Sequence, residues 1–319
     1  MTQDSYLALS GGVGGAKLVL GLHSRLAAGQ LRVIANTGDD FEHLGLPISP
    51  DIDTLLYTLA GCANPATGWG MRDETWSFMA RLEELGGPTW FRLGDRDLAM
   101  HMRRRELLRS HSLTAVTALL GQALGVQTPV LPMSDSPAPT VIHTASGTLA
   151  FQEYFVREQA APAVTNITYP GDVVATGEVL SALSDPALRA IIITPSNPWL
   201  SIAPVLSIPA IKSSILNARA PVIGVSPLIG GRAVKGPTAK IMQELGIPQH
   251  TLAIAQHYAG LLDGLIIDSQ DTDYQSAIES LGIEVRVTNT LMTKLEDKAR
   301  VADAVLSLAA ELGPRVQHG

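Results

Sequence analysis

Apolar residues fall into two patterns along the chain. Short continuous runs read as strands covered on both faces: Tyr6-Leu7-Ala8-Leu9, Leu31-Arg32-Val33-Ile34-Ala35, Ala190-Ile191-Ile192-Ile193-Thr194, Pro221-Val222-Ile223-Gly224-Val225, Gly264-Leu265-Ile266-Ile267-Asp268 and Val285-Arg286-Val287. Between them, helical spacing runs over Ala16 to Ala28 (Leu18, Leu22 and Leu26 four apart), Thr238 to Leu245, Leu252 to Leu262, Tyr274 to Leu281 and Arg300 to Leu312. This alternation predicts an α/β fold: an open, mostly parallel, Rossmann-like three-layer sheet. The middle of the chain departs from it. Trp76 to Leu85 and Asp97 to Leu124 predict helices. Thr128 to Pro132, Thr140 to Thr144 and Thr148 to Phe151 predict short strands, among the breakers Pro137, Pro139, Gly147, Pro162 and Pro170. The expected division is a nucleotide-binding core, residues 1–70 and 171–319, with a smaller, mainly helical module inserted at 71–170.

Composition narrows the function classes. Of 319 residues, 46% are hydrophobic, enough for a core and against disorder as the dominant state. Lys plus Arg number 23 against 30 Asp plus Glu, a formal charge of −7, which argues against a general nucleic-acid or anionic-membrane binder. The single cysteine, Cys62, excludes an internal disulfide and a cysteine-built zinc site. No apolar run approaches the ~18 residues of a membrane span, and the start carries neither a basic n-region nor an apolar h-region. The expectation is a soluble cytoplasmic protein, with a homodimer as the commonest assembly.

Candidate chemistry gathers at the ends of the predicted strands. Gly11-Gly12-Val13-Gly14-Gly15-Ala16-Lys17 follows the first strand, where a glycine turn and a helix N-terminus offer backbone N–H groups to a phosphate. It matches neither G-x-G-x-x-G, which needs glycine at Lys17, nor the P-loop, which needs a longer gap and Ser or Thr where Leu18 stands. Asn36-Thr37-Gly38-Asp39-Asp40 closes the second strand, with Asp39 open to ribose or divalent-metal binding or to a plain Asx turn. In Ser49-Pro50-Asp51-Ile52-Asp53-Thr54, Ser49 suits an N-cap and Pro50 a first helical turn. Asp51 and Asp53 lie two apart, so at most one should face a ligand while the other caps or faces solvent. Leu93-Gly94-Asp95-Arg96-Asp97 is either a capping turn or a site with Arg96 as a clamp on a planar or phosphorylated group. Arg103-Arg104-Arg105 with Arg109 reads as a helical lid of solvated or phosphate-directed arginines rather than a DNA-binding face.

Thr194-Pro195-Ser196-Asn197-Pro198 is either an ordinary Pro/Gly turn or a site with Ser196 and Asn197 exposed at the sheet's carboxyl edge. Val225 to Gly231, running on to Lys235-Gly236-Pro237-Thr238-Ala239-Lys240, is either an ordinary Pro/Gly turn or a second phosphate-friendly site. No G-x-S-x-G or H-E-x-x-H is present, and His43, His101 and His257 read as structural or surface residues.

Taken in order, these segments, with Leu131-Pro132-Met133-Ser134-Asp135, Phe151-Gln152-Glu153-Tyr154-Phe155-Val156 and Val225-Ser226-Pro227 to Gly236-Pro237, resemble the 2-phospho-L-lactate transferase family, from about residue 7 to Met292. Gly68-Trp69-Gly70 and Asp73-Glu74-Thr75-Trp76 look nearest its bacterial branch. The resemblance implies a step in the biosynthesis of the deazaflavin coenzyme F(420). A phospho-three-carbon-acid group (phospholactyl, phosphoenolpyruvyl or phosphoglyceryl) passes from a guanosine diphosphate-linked donor to the ribityl hydroxyl of the deazariboflavin FO, releasing GMP and using Mg²⁺. By the same resemblance Gly12, Gly14, Gly15, Lys17, Ser196 and Asn197 hold the nucleotide, Asp39 and Asp51 or Asp53 the metal, and Asp39, Asp53 and Arg96 serve catalysis, the last two on the deazaflavin side. Partners are then small molecules, with no nucleic acid or membrane. Other readings are a non-catalytic nucleotide-sugar-binding regulator of the same fold, a nicotinamide dehydrogenase and a DNA-binding regulator.

Overall fold

The computed structural model describes residues 3–234 and 236–315. Its strands are β1 (Ser5–Ser10), β2 (Leu31–Ala35), β3 (Phe41–His43), β4 (Leu46–Ile48), β5 (Val130–Pro132), β6 (Val141–Thr144), β7 (Gly147–Ala150), β8 (Val164–Thr168), β9 (Leu188–Ile193), β10 (Val222–Val225), β11 (Leu228–Ile229), β12 (Arg232–Ala233), β13 (Gly264–Asp268) and β14 (Glu284–Thr288). Seven of them form one sheet in the order β14-β13-β10-β9-β1-β2-β5, and every neighbouring pair in it is parallel.

The continuous apolar runs follow from this arrangement, because each strand feeds two cores at once. Leu7, Leu9, Ile191 and Ile193 pack on one face, while Ala8, Ala190 and Ile192 pack on the other. The second face is covered by α1 (Gly12–Arg25), α2 (Pro50–Leu59), α5 (Leu113–Ala123) and the C-terminal helix Leu295–Leu312. The first is covered by the helices Gly177–Leu183, Pro209–Leu216, Thr251–His257 and Gln275–Glu279. This is the Rossmann-like three-layer fold that the apolar pattern predicts.

Between β2 and β5 lie α2, then α3 (Ser77–Glu84), α4 (Asp95–Leu107) and α5. The interval 71–170 therefore returns to the main sheet once, at its edge strand β5, before it builds a small antiparallel sheet, β7-β6-β8. The antiparallel hairpin β3–β4 turns through Leu44 (φ 54°) and Gly45 (φ 70°), two successive left-handed residues that match a two-residue hairpin loop. Leu46 and Ile48 of this hairpin share a satellite core with Met79 of α3 and with Leu93. Among the described residues no single helix is long and apolar enough to cross a membrane.

Candidate active site

The strand order reverses at β1, which has β2 on one side and β9 on the other. In an open parallel sheet the crevice beyond the carboxyl ends of such a pair is where ligands bind. The segments after β1, β2 and β9 meet there. The glycine turn is shorter than its sequence suggests: α1 starts at Gly12, so Gly12, Gly14 and Gly15 form its first turn rather than a loop before it. The glycines serve close packing against the segment after β9. A Cβ on Gly14 would sit 2.8 Å from the Pro195 carbonyl oxygen, and one on Gly15 would sit 2.7 Å from Thr194 Oγ1 and overlap the Ser10 and Ser196 hydroxyls.

Ser196 stitches the two turns together. The Gly11 N–H donates to Ser196 Oγ at 3.0 Å, and that hydroxyl lies 3.0 Å from Thr194 Oγ1 and from the Gly11 carbonyl oxygen. Sequence reasoning left Ser196 exposed at the sheet edge. It is buried instead, because the glycine turn packs over it. Asn197 caps the following turn, accepting from Trp199 N and Leu200 N, each at 2.9 Å, and its amide donates to Thr238 Oγ1 at 3.0 Å. Lys17 is half-buried on α1. In the second candidate turn Lys240 is committed elsewhere, donating to Glu244 and, at 3.0 Å, to the Pro162 carbonyl oxygen. Lys235 lies outside the described residues.

Four carboxylates occupy the space in front of β2. Asp51, at the start of α2, accepts from the Gly12 N–H and, at 2.9 Å, from Asn36 Nδ2, so it faces the N-terminus of α1. Burial pushes its carboxyl up to about 6, although these two donors pull the other way. Burial also pushes Asp39 well above the usual carboxylate range, with the charges of Asp51 and Asp40 adding to it. Asp39 Oδ2 accepts from Gln152 Nε2 at 3.2 Å, while Oδ1 is buried without a partner. Asp40 Oδ2 accepts from Ser49 Oγ at 2.7 Å, and its Oδ1 is likewise buried and unpartnered. Ser49 thus occupies the N-cap position of α2 but gives its hydroxyl to Asp40.

Asp53 turns the other way, as residues two apart on a helix must. It neither caps nor faces solvent. Arg104 of α4 holds both of its oxygens, Nη2 on Oδ1 and Nη1 on Oδ2, the latter at 3.0 Å. Arg104 is only 1% exposed, so this member of the arginine run is no solvated lid residue, whereas Arg103 and Arg105 are exposed. Arg104 Nη1 also lies 3.1 Å from His101 Nδ1. Burial lowers the His101 imidazole to about 4. It is neutral at pH 7, and Nδ1 acts as acceptor. Tyr57 donates to Asp97 at 2.5 Å, and burial, with the nearby Asp53 charge, raises Asp97 to about 7.

Arg96 stands exposed on the rim of this cluster, with Nη1 3.2 Å from the Arg72 carbonyl oxygen. Its turn is fixed by two carboxylates. Glu74 accepts the N–H groups of Arg96 and Asp97 at 2.8 and 2.9 Å, and Asp95 accepts those of Ser77 and Phe78 at 3.1 and 3.0 Å. Asp95 therefore caps α3, and Gly94, not an aspartate, is the N-cap residue of α4.

The structure thus brings together Gly12, Gly14, Gly15, Ser196, Asp39 and Asp51 at one crevice and places Asp53 with Arg104 behind it. Sequence reasoning missed the roles of Gln152 and Arg104; the rings of Phe41, His43, Trp90 and Phe91 pack together at the β3–β4 hairpin, their centroids 4.8 to 6.2 Å apart. A signal for Arg104 was present: Asp97, Met100, His101, Arg104 and Leu107 recur at helical spacing, and all are buried.

Among the described residues no three His, Cys, Asp or Glu side chains converge as a metal-ligand set. The unpartnered, buried Asp39 Oδ1 beside Asp51 fits a smaller demand, since Mg²⁺ commonly takes one or two carboxylates and completes its shell with phosphate oxygens and water.

Comparison with known proteins agrees with this architecture. The chain is 39% identical to a phosphoenolpyruvate transferase of Kitasatospora aureofaciens, over 98% of this chain and 99% of that one. It is 36% identical to a 2-phospho-L-lactate transferase of Methanothermobacter thermautotrophicus, over 95% of this chain and 98% of that one. A solved structure of a UPF0052 family member from Bacillus halodurans shares the fold with a TM-score of 0.62, at 15% identity, covering 96% of this chain and 99% of that one. The sequence profile of the family described as 2-phospho-L-lactate transferase CofD matches residues 7–301, and the chain belongs to that family.

Proposed function

We propose that the protein transfers a phospho-three-carbon-acid group from a guanosine diphosphate-linked donor to the ribityl hydroxyl of the deazaflavin precursor FO, releasing GMP, in F(420) biosynthesis. The observation that carries this reading is the meeting of the α1 N-terminus, the Thr194–Asn197 turn and the Asp39–Asp51 pair at one crevice. The names of its relatives support it.

The reaction forms a P–O bond between the ribityl oxygen and the phosphorus that bears the three-carbon acid. It breaks the bond from that phosphorus to the bridging oxygen, which leaves with GMP. Such chemistry needs positioning and charge neutralisation more than covalent help. The first turn of α1 presents N–H groups to the diphosphate, and the Ser196 stitch fixes that turn against the segment after β9. Asp39 and Asp51 would hold Mg²⁺, which when bound neutralises the diphosphate. The hydroxyl proton passes to the Asp40 carboxylate, whose affinity for a proton burial raises. Arg96 on the rim clamps the planar acceptor. Asp53, with both oxygens given to Arg104, orients the wall behind the acceptor and does not contact it.

The test is incubation of the purified protein with FO, Mg²⁺ and each of the phospholactyl, phosphoenolpyruvyl and phosphoglyceryl guanosine diphosphate donors, followed by mass spectrometry. A phosphodiester adduct with GMP is expected, and the best donor names the acid. No adduct from any donor with folded protein overturns the reading in favour of a nucleotide-sugar-binding regulator.

A further inference from the structure

Two of the four carboxylates in front of β2 are anchored by chemically different donors. Asp53 is held by the Arg104 guanidinium, which cancels its charge. Asp39 is held by the side-chain amide of Gln152, which is neutral. An amide donor fixes one oxygen of a carboxylate without neutralising it, so the second oxygen keeps its claim on a cation. That second oxygen, Asp39 Oδ1, is buried and lacks a partner.

The inserted segment is built to hold Gln152 in place. Gln152 is 5% exposed, and the helical turn Glu153–Arg157 follows it directly. Tyr154 of that turn is fully buried, and its hydroxyl accepts from Lys240 Nζ at 3.4 Å. The rings of Phe151 and Phe155 stack at 5.6 Å on either side of it in sequence. Thr140, whose N–H donates to the Gly38 carbonyl oxygen at 2.7 Å, ties the same segment to the Asp39 turn.

We infer that Gln152 is a positioning residue for the cation site: through its hydrogen bond to Asp39 Oδ2 it aims Asp39 Oδ1 at a divalent cation while leaving the carboxylate charged. The inference rests on the cation role given above to Asp39. It assigns the inserted segment a direct part in metal affinity, 113 residues from Asp39 in sequence.

The experiment measures Mn²⁺ binding to the full chain in the presence of GDP, by electron paramagnetic resonance, for wild type, Gln152→Met and Gln152→Ala. Methionine keeps the buried volume and removes the donor. The expected result is a rise of about tenfold or more in the Mn²⁺ dissociation constant. The Mg²⁺ concentration for half-maximal turnover should rise in parallel, with turnover at saturating Mg²⁺ largely retained. A packing role alone would lower the melting temperature and the maximal rate while leaving Mn²⁺ affinity unmoved. Either variant, folded and binding Mn²⁺ as tightly as wild type, overturns the inference alone. Wild-type protein that binds no Mn²⁺ with GDP overturns the cation role of Asp39 and the inference with it.

Discussion

Arg104 of α4 and Asp53 of α2 form a two-pronged ion pair across 51 residues of chain, with side chains 1% and 7% exposed. The guanidinium fork matches a carboxylate edge, which a lysine could not do from the same place. The pair joins two helices, α4 and α2, that both pack into the core on one face of the main sheet, so it is both an electrostatic and an architectural joint.

Removing one member leaves the other charged and dry. Arg104→Ala should destabilise the fold by about 3–5 kcal/mol, whereas Arg104→Met with Asp53→Leu should recover most of that loss. Urea unfolding of the three proteins checks it. Equal losses in the single and double variants would show that the pair's charge is not what matters.

Gly14→Ala puts a Cβ 2.8 Å from a backbone oxygen of Pro195, which cannot rotate away. The two turns must part, and GDP affinity should fall by about tenfold or more, since a displacement of about 1 Å at a positioned site is costly. Gly177→Ala is the control. It starts a helix with open space around it and should be neutral or mildly stabilising. Calorimetric titration with GDP reads both.

Asp97 gives the fold a pH dependence of definite sign. Its carboxyl is raised from an ordinary value of 3.8 to about 7, so the folded chain holds a proton that the unfolded chain releases. That contribution is complete below about pH 4 and is lost as pH rises through about 7. Wild type should therefore lose melting temperature between pH 5 and pH 8 relative to Asp97→Asn, which cannot ionise. Parallel melting curves for the two proteins would refute the assignment.

Asp39→Asn removes the charge but keeps the shape. Turnover with the preferred donor should drop at least about 100-fold, the scale of one lost electrostatic group in a transition state. Added Mg²⁺ should fail to restore it. A variant with wild-type rate and wild-type Mg²⁺ requirement would remove Asp39 from the metal site.

Most of the sheet was legible because parallel strands buried on both faces leave uninterrupted apolar runs, as at Ile191-Ile192-Ile193. The hairpin Phe41–Ile48 was not legible: its strands are three residues long, and its turn begins at Leu44, a residue that rarely takes positive φ. At the site, the spacing argument separated Asp51 from Asp53 correctly. It could not supply the destination of Asp53, because a run of three arginines reads as a charged surface until its helical phase is traced. Gln152 stood only inside a segment of the family resemblance, with no role of its own. A lone glutamine acquires a role only when the fold brings a distant carboxylate to it.

The return of residues 128–132 to the sheet edge sets an order of assembly. β5 pairs with β2, yet the whole excursion through α2, α3, α4 and α5 lies between them. Closing so long a loop before its interior is ordered costs entropy that the three registered residue pairs of β2 and β5 cannot repay. The edge strand is therefore expected to dock late, after the helices of the excursion have folded. Native-state hydrogen exchange should show the β5 amides opening together with α4 and α5 rather than with β1 and β9. A lesion at Arg104 would then be felt as a frayed sheet edge on the far side of the joint, in a strand that Arg104 never touches.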